Sequence, residues 1–171
     1  MRLGRGQREN ERKGAPPAPI MFSIGFTDEP LEYPYDDDHI PAAPGLLMLG
    51  KTSEGFLANL GKWDKKAYES QWTRELNSLV EGSSKVSLVA SFAEPQDAAY
   101  IEVWPCYRDE EWVWVQNRLL SYSSLPPEFN VLEVSRYLRD RRMVDEDGNR
   151  ISEWRVALRD IETFLHRSGV M

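Results

Sequence analysis

Apolar positions along the chain recur with two different periods. Tyr68, Trp72, Leu76 and Leu79/Val80 return every three or four residues and predict a helix over Lys65–Glu81. Asp64 stands where an N-cap belongs and Gly82 where a helix stops. A second stripe of Leu158, Ile161, Phe164 and Leu165 predicts a helix over 157–168, ended by Gly169. His166 and Arg167 fall in its last turn, favourably placed against the helix dipole. Val131, Val134 and Leu138 give a weaker helical signal over Phe129–Arg139, and Phe56, Leu57 and Leu60 suggest a short helix over Ser53–Gly61.

Elsewhere the period is two, as half-buried strands require. Phe22–Phe26 alternates, as do Val86, Leu88, Ala90 and Phe92 within Lys85–Ala93. The densest aromatic stretch is Tyr100–Leu120, YIEVWPCYRDEEWVWVQNRLL, which holds Trp104, Trp112 and Trp114. It reads as two strands leaning on each other around Arg108-Asp109-Glu110. Ile101, Val103 and Pro105 point to one face and Trp104 and Cys106 to the other, so both faces of this hairpin are expected to be covered. Regularly patterned aromatics of this kind are expected in the core. Arg108-Asp109 lacks the glycine or asparagine of a tight primed turn, so a connection of about four or five residues is expected. Gly148 marks a turn inside Asp145–Asn149, which leads into a return strand carrying Ser152, Trp154 and Val156 on one side.

The pattern predicts an α+β fold. One antiparallel, aromatic-rich sheet, with strands near 46–49, 85–93, 100–107, 111–119 and a hairpin over 142–156, is covered by the helices at 65–81 and 157–168. A chain of 171 residues suits a single domain. Residues 1–20 carry Arg2, Arg5, Arg8, Arg12 and Lys13 against Glu9 and Glu11, then turn proline-rich. They read as a disordered leader before a globular unit over 21–171, with Met21 an alternative start. Between Asp28 and Pro44 four prolines forbid a regular helix and predict a long irregular loop.

Charge sharpens the functional reading. The chain carries a net −7 in spite of its basic leader, so the globular part is more acidic still. Such a body repels nucleic acid and membrane surfaces and attracts basic partners. No apolar run reaches the roughly 20 residues that span a bilayer, and a lone Cys106 suits a reducing compartment. These features point to a cytoplasmic protein. Three acidic groups fall in predicted loops or turns: Asp36, Asp37 and Asp38; Asp109, Glu110 and Glu111 beside Arg108; and Asp145, Glu146 and Asp147. Together they form the candidate surface for a basic partner.

Candidate chemistry is sparse. Cys106, His39 and His166 are too few and too far apart for a zinc site or a nucleophilic pair, and no catalytic residue, cofactor or metal is expected. Gly45–Thr52, GLLMLGKT, matches the phosphate-loop pattern, which would make the chain a nucleotide-binding enzyme. Its four intervening residues are bulky and apolar, however, and no strand precedes it, so an apolar strand ending in glycine is the better reading. A general protein-interaction module is the remaining alternative.

Several short motifs occur in a fixed order. Gly45-Leu-Leu-Met-Leu-Gly50 comes first, then Phe56, Trp63, Tyr68-x-x-Gln71-Trp72 and Gly82. Ser91, Pro95, Trp104-x-x-Tyr107-Arg108 and Val113-x-x-Gln116 follow, before Asp147-Gly148-x-x-Ile151-Ser152-Glu153-Trp154 and Leu165. In this order and spacing, over residues 45–166, the chain resembles the immunity proteins of bacterial contact-dependent growth inhibition systems. The resemblance implies a non-enzymatic cytoplasmic inhibitor of a cognate toxin C-terminal domain. It also implies that the toxin is a nuclease, in many cases one acting on tRNA, with a basic substrate surface.

Overall fold

A computed structural model describes residues 21–28 and 40–169. The predicted leader over 1–20 and Asp36–Asp38 lie outside the described residues. Among the described residues, eight strands and two α-helices follow in the order β1 (Phe22–Phe26), β2 (Ala42–Leu49), β3 (Thr52–Asn59), α1 (Lys65–Glu81), β4 (Lys85–Ser91), β5 (Tyr100–Asp109), β6 (Trp112–Gln116), β7 (Arg118–Ser121), β8 (Glu153–Ala157) and α2 (Leu158–Arg167). The fold is α+β and antiparallel throughout, with the strands divided between two sheets rather than gathered in one.

The first sheet is a meander in the order β1-β2-β3. Gly45–Thr52, the phosphate-loop match, forms the end of β2 and its hairpin turn to β3; no helix follows it. Gly50 takes φ +69°, the conformation glycine alone adopts freely, and Lys51 and Thr52 are exposed. This excludes the cradle of amides at a helix N-terminus that phosphate binding needs. Ser53–Gly61 is not a helix: it lies in β3 as far as Asn59 and then in the turn that follows. Phe56 and Ala58 alternate inward, and pairing with β2 satisfies the backbone that Ser53 and Gly55 would have held poorly in a helix. Strand β2 also begins earlier than the proline-rich loop suggests, with Pro44 inside it.

The second sheet runs β4-β5-β6-β8, with β7 on β5. The expected strand 111–119 splits at Asn117. β6 pairs with the C-terminal half of β5 (Cys106↔Val115) and β7 with its N-terminal half (Tyr100↔Ser121). Both faces are covered, so Ile101, Val103, Pro105, Trp104 and Cys106 are all buried.

Helix α1 has the predicted bounds. The Asp64 carboxylate accepts from Ala67 N at 2.8 Å, and Gly82 ends the helix at φ +129°. Its inward face seals the open edge of β4, a row of backbone groups that no strand pairs. Gln71 receives Val89 N at 2.9 Å and donates to Ser87 O at 2.7 Å, imitating a neighbouring strand with its side-chain amide. Trp72 Nε1 donates to Val89 O at 2.8 Å. The Tyr68 hydroxyl accepts from Phe92 N at 2.9 Å and donates to Asn59 O at 2.6 Å, tying the two sheets together. Burial pushes that phenol up to about 12. Tyr68, Trp72, Phe26, Phe56, Trp63 and Phe92 meet edge to face or tilted, at centroid separations of 5.1–6.3 Å. Phe22 meets Phe164 at 5.6 Å, joining α2 to the same core.

Candidate functional site

The connecting segment over 129–146 determines which surfaces remain open. Phe129–Arg139 is not an α-helix. Val131–Tyr137 makes two 3-10 turns broken at Glu133, with Asn130 capping through Leu132 N. The segment runs as a strap across the outer face of the second sheet. Ser135 Oγ accepts from Ser87 N at 2.9 Å and donates to Glu75 at 2.8 Å. Farther on, Lys85 donates to Leu138 O, Tyr107 to Arg139 O and Gln116 to Arg142 O. Arg139-Asp140-Arg141-Arg142, which reads as a solvated charge run, is therefore held along its length.

Arg141 is the firmest part of that strap. It forms a two-pronged pair with Glu153, at 2.6 and 2.5 Å, and its guanidinium lies 4.1 Å from the centre of the Trp114 ring. Burial pushes the Glu153 carboxyl up, but hydrogen bonds from Arg141 and Gln116 outweigh it and leave the group below the usual carboxylate range.

Beyond the strap the face continues as alternating cations and indoles. Arg155 lies 4.1 Å from the centre of Trp112 and 5.9 Å from that of Trp114. Register explains the stack: Trp114 pairs with Arg155 across β6 and β8, so both project from one face. Trp112 is 43% exposed and Met143 55%. The expectation of core tryptophans holds for Trp104, at 1% exposed, and fails for Trp112, because the strap stops short of it. Alternation in Glu153-Trp154-Arg155-Val156 already sets Arg155 opposite buried Val156; what the sequence does not reveal is where the strap ends.

The predicted acidic groups separate into different roles. Asp109, Glu110 and Glu111 are exposed at the tip of the β5–β6 hairpin, directly beside Trp112. The connection has two residues instead of the expected four or five, because Asp109↔Trp112 still pair and Glu110 takes φ +56°. The half-buried Arg108 is engaged within the chain. Its Nη1 donates to Leu79 O at 2.8 Å and Val80 O at 3.0 Å, and its Nε to Glu110 O. Asp145 is likewise structural: its carboxylate accepts from Asp147 N and Asn149 N, each at 2.9 Å. Glu146 is drawn to arginines of the strap and of β7, and Asp147 is exposed.

Other chemistry is limited. Among the described residues no three His, Cys, Asp or Glu side chains gather as a metal site requires, and no helix is long and apolar enough to cross a membrane. Cys106 is fully buried, and burial, with the nearby Glu75 charge, pushes its thiol up to about 12. A thiolate nucleophile is out of reach there.

Similarity to known proteins accords with this architecture. The immunity protein CdiI of Enterobacter cloacae subsp. cloacae is 27% identical over 146 residues, covering 85% of this chain and 97% of its own length. A solved CdiA-CT/CdiI toxin and immunity complex from Enterobacter cloacae includes a chain of the same fold, with a TM-score of 0.75 and 25% identity. That alignment covers 88% of this chain and 100% of the other. Residues 58–164, from the end of β3 into α2, match the CdiI N-terminal domain, and the chain belongs to that family.

Proposed function

We propose that this protein is the immunity partner of a CdiA-type toxin, binding the toxin's C-terminal domain in the cytoplasm and neutralising it without enzymatic activity. The observation that carries this reading is the extent of the likeness: nearly the whole length of the CdiI relative aligns, and the fold of a chain from a toxin and immunity complex is reproduced. We assign the docking role to the β5–β6 hairpin tip and the face behind it. Asp109, Glu110 and Glu111 supply negative potential there, and Asp147 adds to it from its own turn. Trp112 and Arg155 are residue types that dominate binding energy when a partner covers them. The toxin is then a nuclease with a basic substrate surface, of the kind that acts on tRNA, and acidic steering speeds its capture. The inhibitor has no need to contact nucleic acid itself.

Co-expression with the toxin domain encoded beside the gene tests the proposal. A stable complex and restored growth are expected. Neither complex nor rescue would end this reading.

A further inference from the structure

A second feature lies on the other side of the strap, in a cleft of about 270 Å³ between it and β7. Three guanidiniums converge there on one carboxylate. Arg142 Nη2 reaches Glu146 Oε1 at 2.7 Å, while Arg118 Nη2 stops at 3.7 Å and Arg139 Nη1 at 3.8 Å. Only the first is a hydrogen bond; the others are near enough to attract and too far to bond. Arg118 has a side chain only 20% exposed, and among the described residues Glu146 is its sole ion-pair partner. The remaining acid of the cleft, Asp140, is engaged by Lys85 at 3.2 Å. A planar carboxylate thus satisfies one of three converging donors and leaves positive charge uncompensated, on a chain whose net charge is −7.

A phosphate monoester fits this arrangement better. It carries up to two charges and three terminal oxygens, enough to engage three arginines arriving from different directions. The cleft wall beside the arginines is apolar and aromatic, with Tyr100 53% and Leu119 57% exposed. An exposed phenol ring is a surface on which a planar base stacks. Glu146 belongs to an exposed turn and is itself 60% exposed, so it can leave without opening the core. We propose that Arg118, Arg139 and Arg142 form a binding site for a nucleoside monophosphate, with Glu146 as the resident anion that the phosphate displaces.

Isothermal titration of the full chain with adenosine 5′-monophosphate, inorganic phosphate, adenosine and glutarate tests this. The expected order is the nucleotide first, phosphate weaker, and adenosine and glutarate undetectable. Arg118→Gln and Arg142→Gln should each weaken the nucleotide by about tenfold or more, the loss of one charge-assisted contact. Glu146→Gln should tighten it several-fold by removing the competitor, an effect that general damage to the fold would not produce. Circular dichroism melts establish that each variant is folded. The proposal is overturned if the wild type and Glu146→Gln both show no saturable heat up to about 10 mM nucleotide, well past the millimolar range of weak sites. It is equally overturned if glutarate binds as tightly as phosphate, or if the arginine variants bind unchanged.

Discussion

Arg108 and Leu79 are joined by a 2.8 Å hydrogen bond from the guanidinium to the main-chain carbonyl, with Val80 O at 3.0 Å beside it. The tip of the β5–β6 hairpin is thereby fastened to the C-terminal turn of α1, where carbonyls beyond the helix ladder and the negative end of the helix dipole favour a cation. Removing the side chain takes the Arg108 donor from Val80 O and leaves Leu79 O with the Gly82 N–H at 3.2 Å, in a partly buried setting. Arg108→Ala should cost about 1–3 kcal/mol in chemical denaturation. Toxin affinity of the folded variant should stay near that of the wild type, because Arg108 belongs to the scaffold.

Gln71 replaces a missing strand along β4. Gln71→Leu keeps the volume but strands Val89 N and Ser87 O at a buried edge, and should cost about 1–3 kcal/mol per unsatisfied group. Thermal melts compared with Gln71→Glu, which keeps one acceptor, apportion the two bonds. A loss no larger than that of an exposed substitution would contradict the edge-sealing role.

Gly45 is required by its neighbour rather than by its own backbone angles. A Cβ built there would lie 2.2 Å from Phe56 Cζ. Gly45→Ala should destabilise by about 1–3 kcal/mol through overpacking. Phe56→Leu in the same chain should recover part of that loss, a coupling that a double-mutant cycle measures.

Glu153 gives the stability curve a sign. Its folded carboxyl titrates below the usual range because Arg141 and Gln116 hold the ionised form against the cost of burial. The stabilisation is therefore fully present above the unfolded pKa and is lost as pH falls through the lower, folded value. Glu153→Gln should flatten that acid limb in urea titrations run from neutral pH downward, and should loosen the stacking of Arg141 on Trp114.

Trp112 separates binding from folding. It is 43% exposed and carries the Arg155 guanidinium on its ring, so Trp112→Ala should change stability by about 1 kcal/mol or less while weakening toxin binding by about 2 kcal/mol or more, on the order of thirtyfold. Neutralising Asp109, Glu110 and Glu111 together should instead slow association and flatten its salt dependence, leaving dissociation nearly unchanged. Surface plasmon resonance at two ionic strengths distinguishes the two effects.

Local chemistry by itself determined much of this protein. The bounds of α1 follow from Asp64, the Tyr68–Trp72–Leu76–Leu79 stripe and Gly82, because caps and a 3.6-residue period are properties of neighbouring residues. The α+β class, the β5–β6 pairing and the ordered family motifs were readable for the same reason. Tertiary structure decided the rest. Most of Ser53–Gly61 became a strand because β2 was there to pair with it, and the strands divided into two sheets because α1 seals the β4 edge with side chains. Arg108, Asp145 and Glu146 read as free surface charge, yet long-range or turn-closing partners claim them. Trp112 read as core, yet the strap that covers its neighbours ends before reaching it. Whether a side chain is buried, paired or available depends on chain segments distant in sequence, and periodicity carries no information about those.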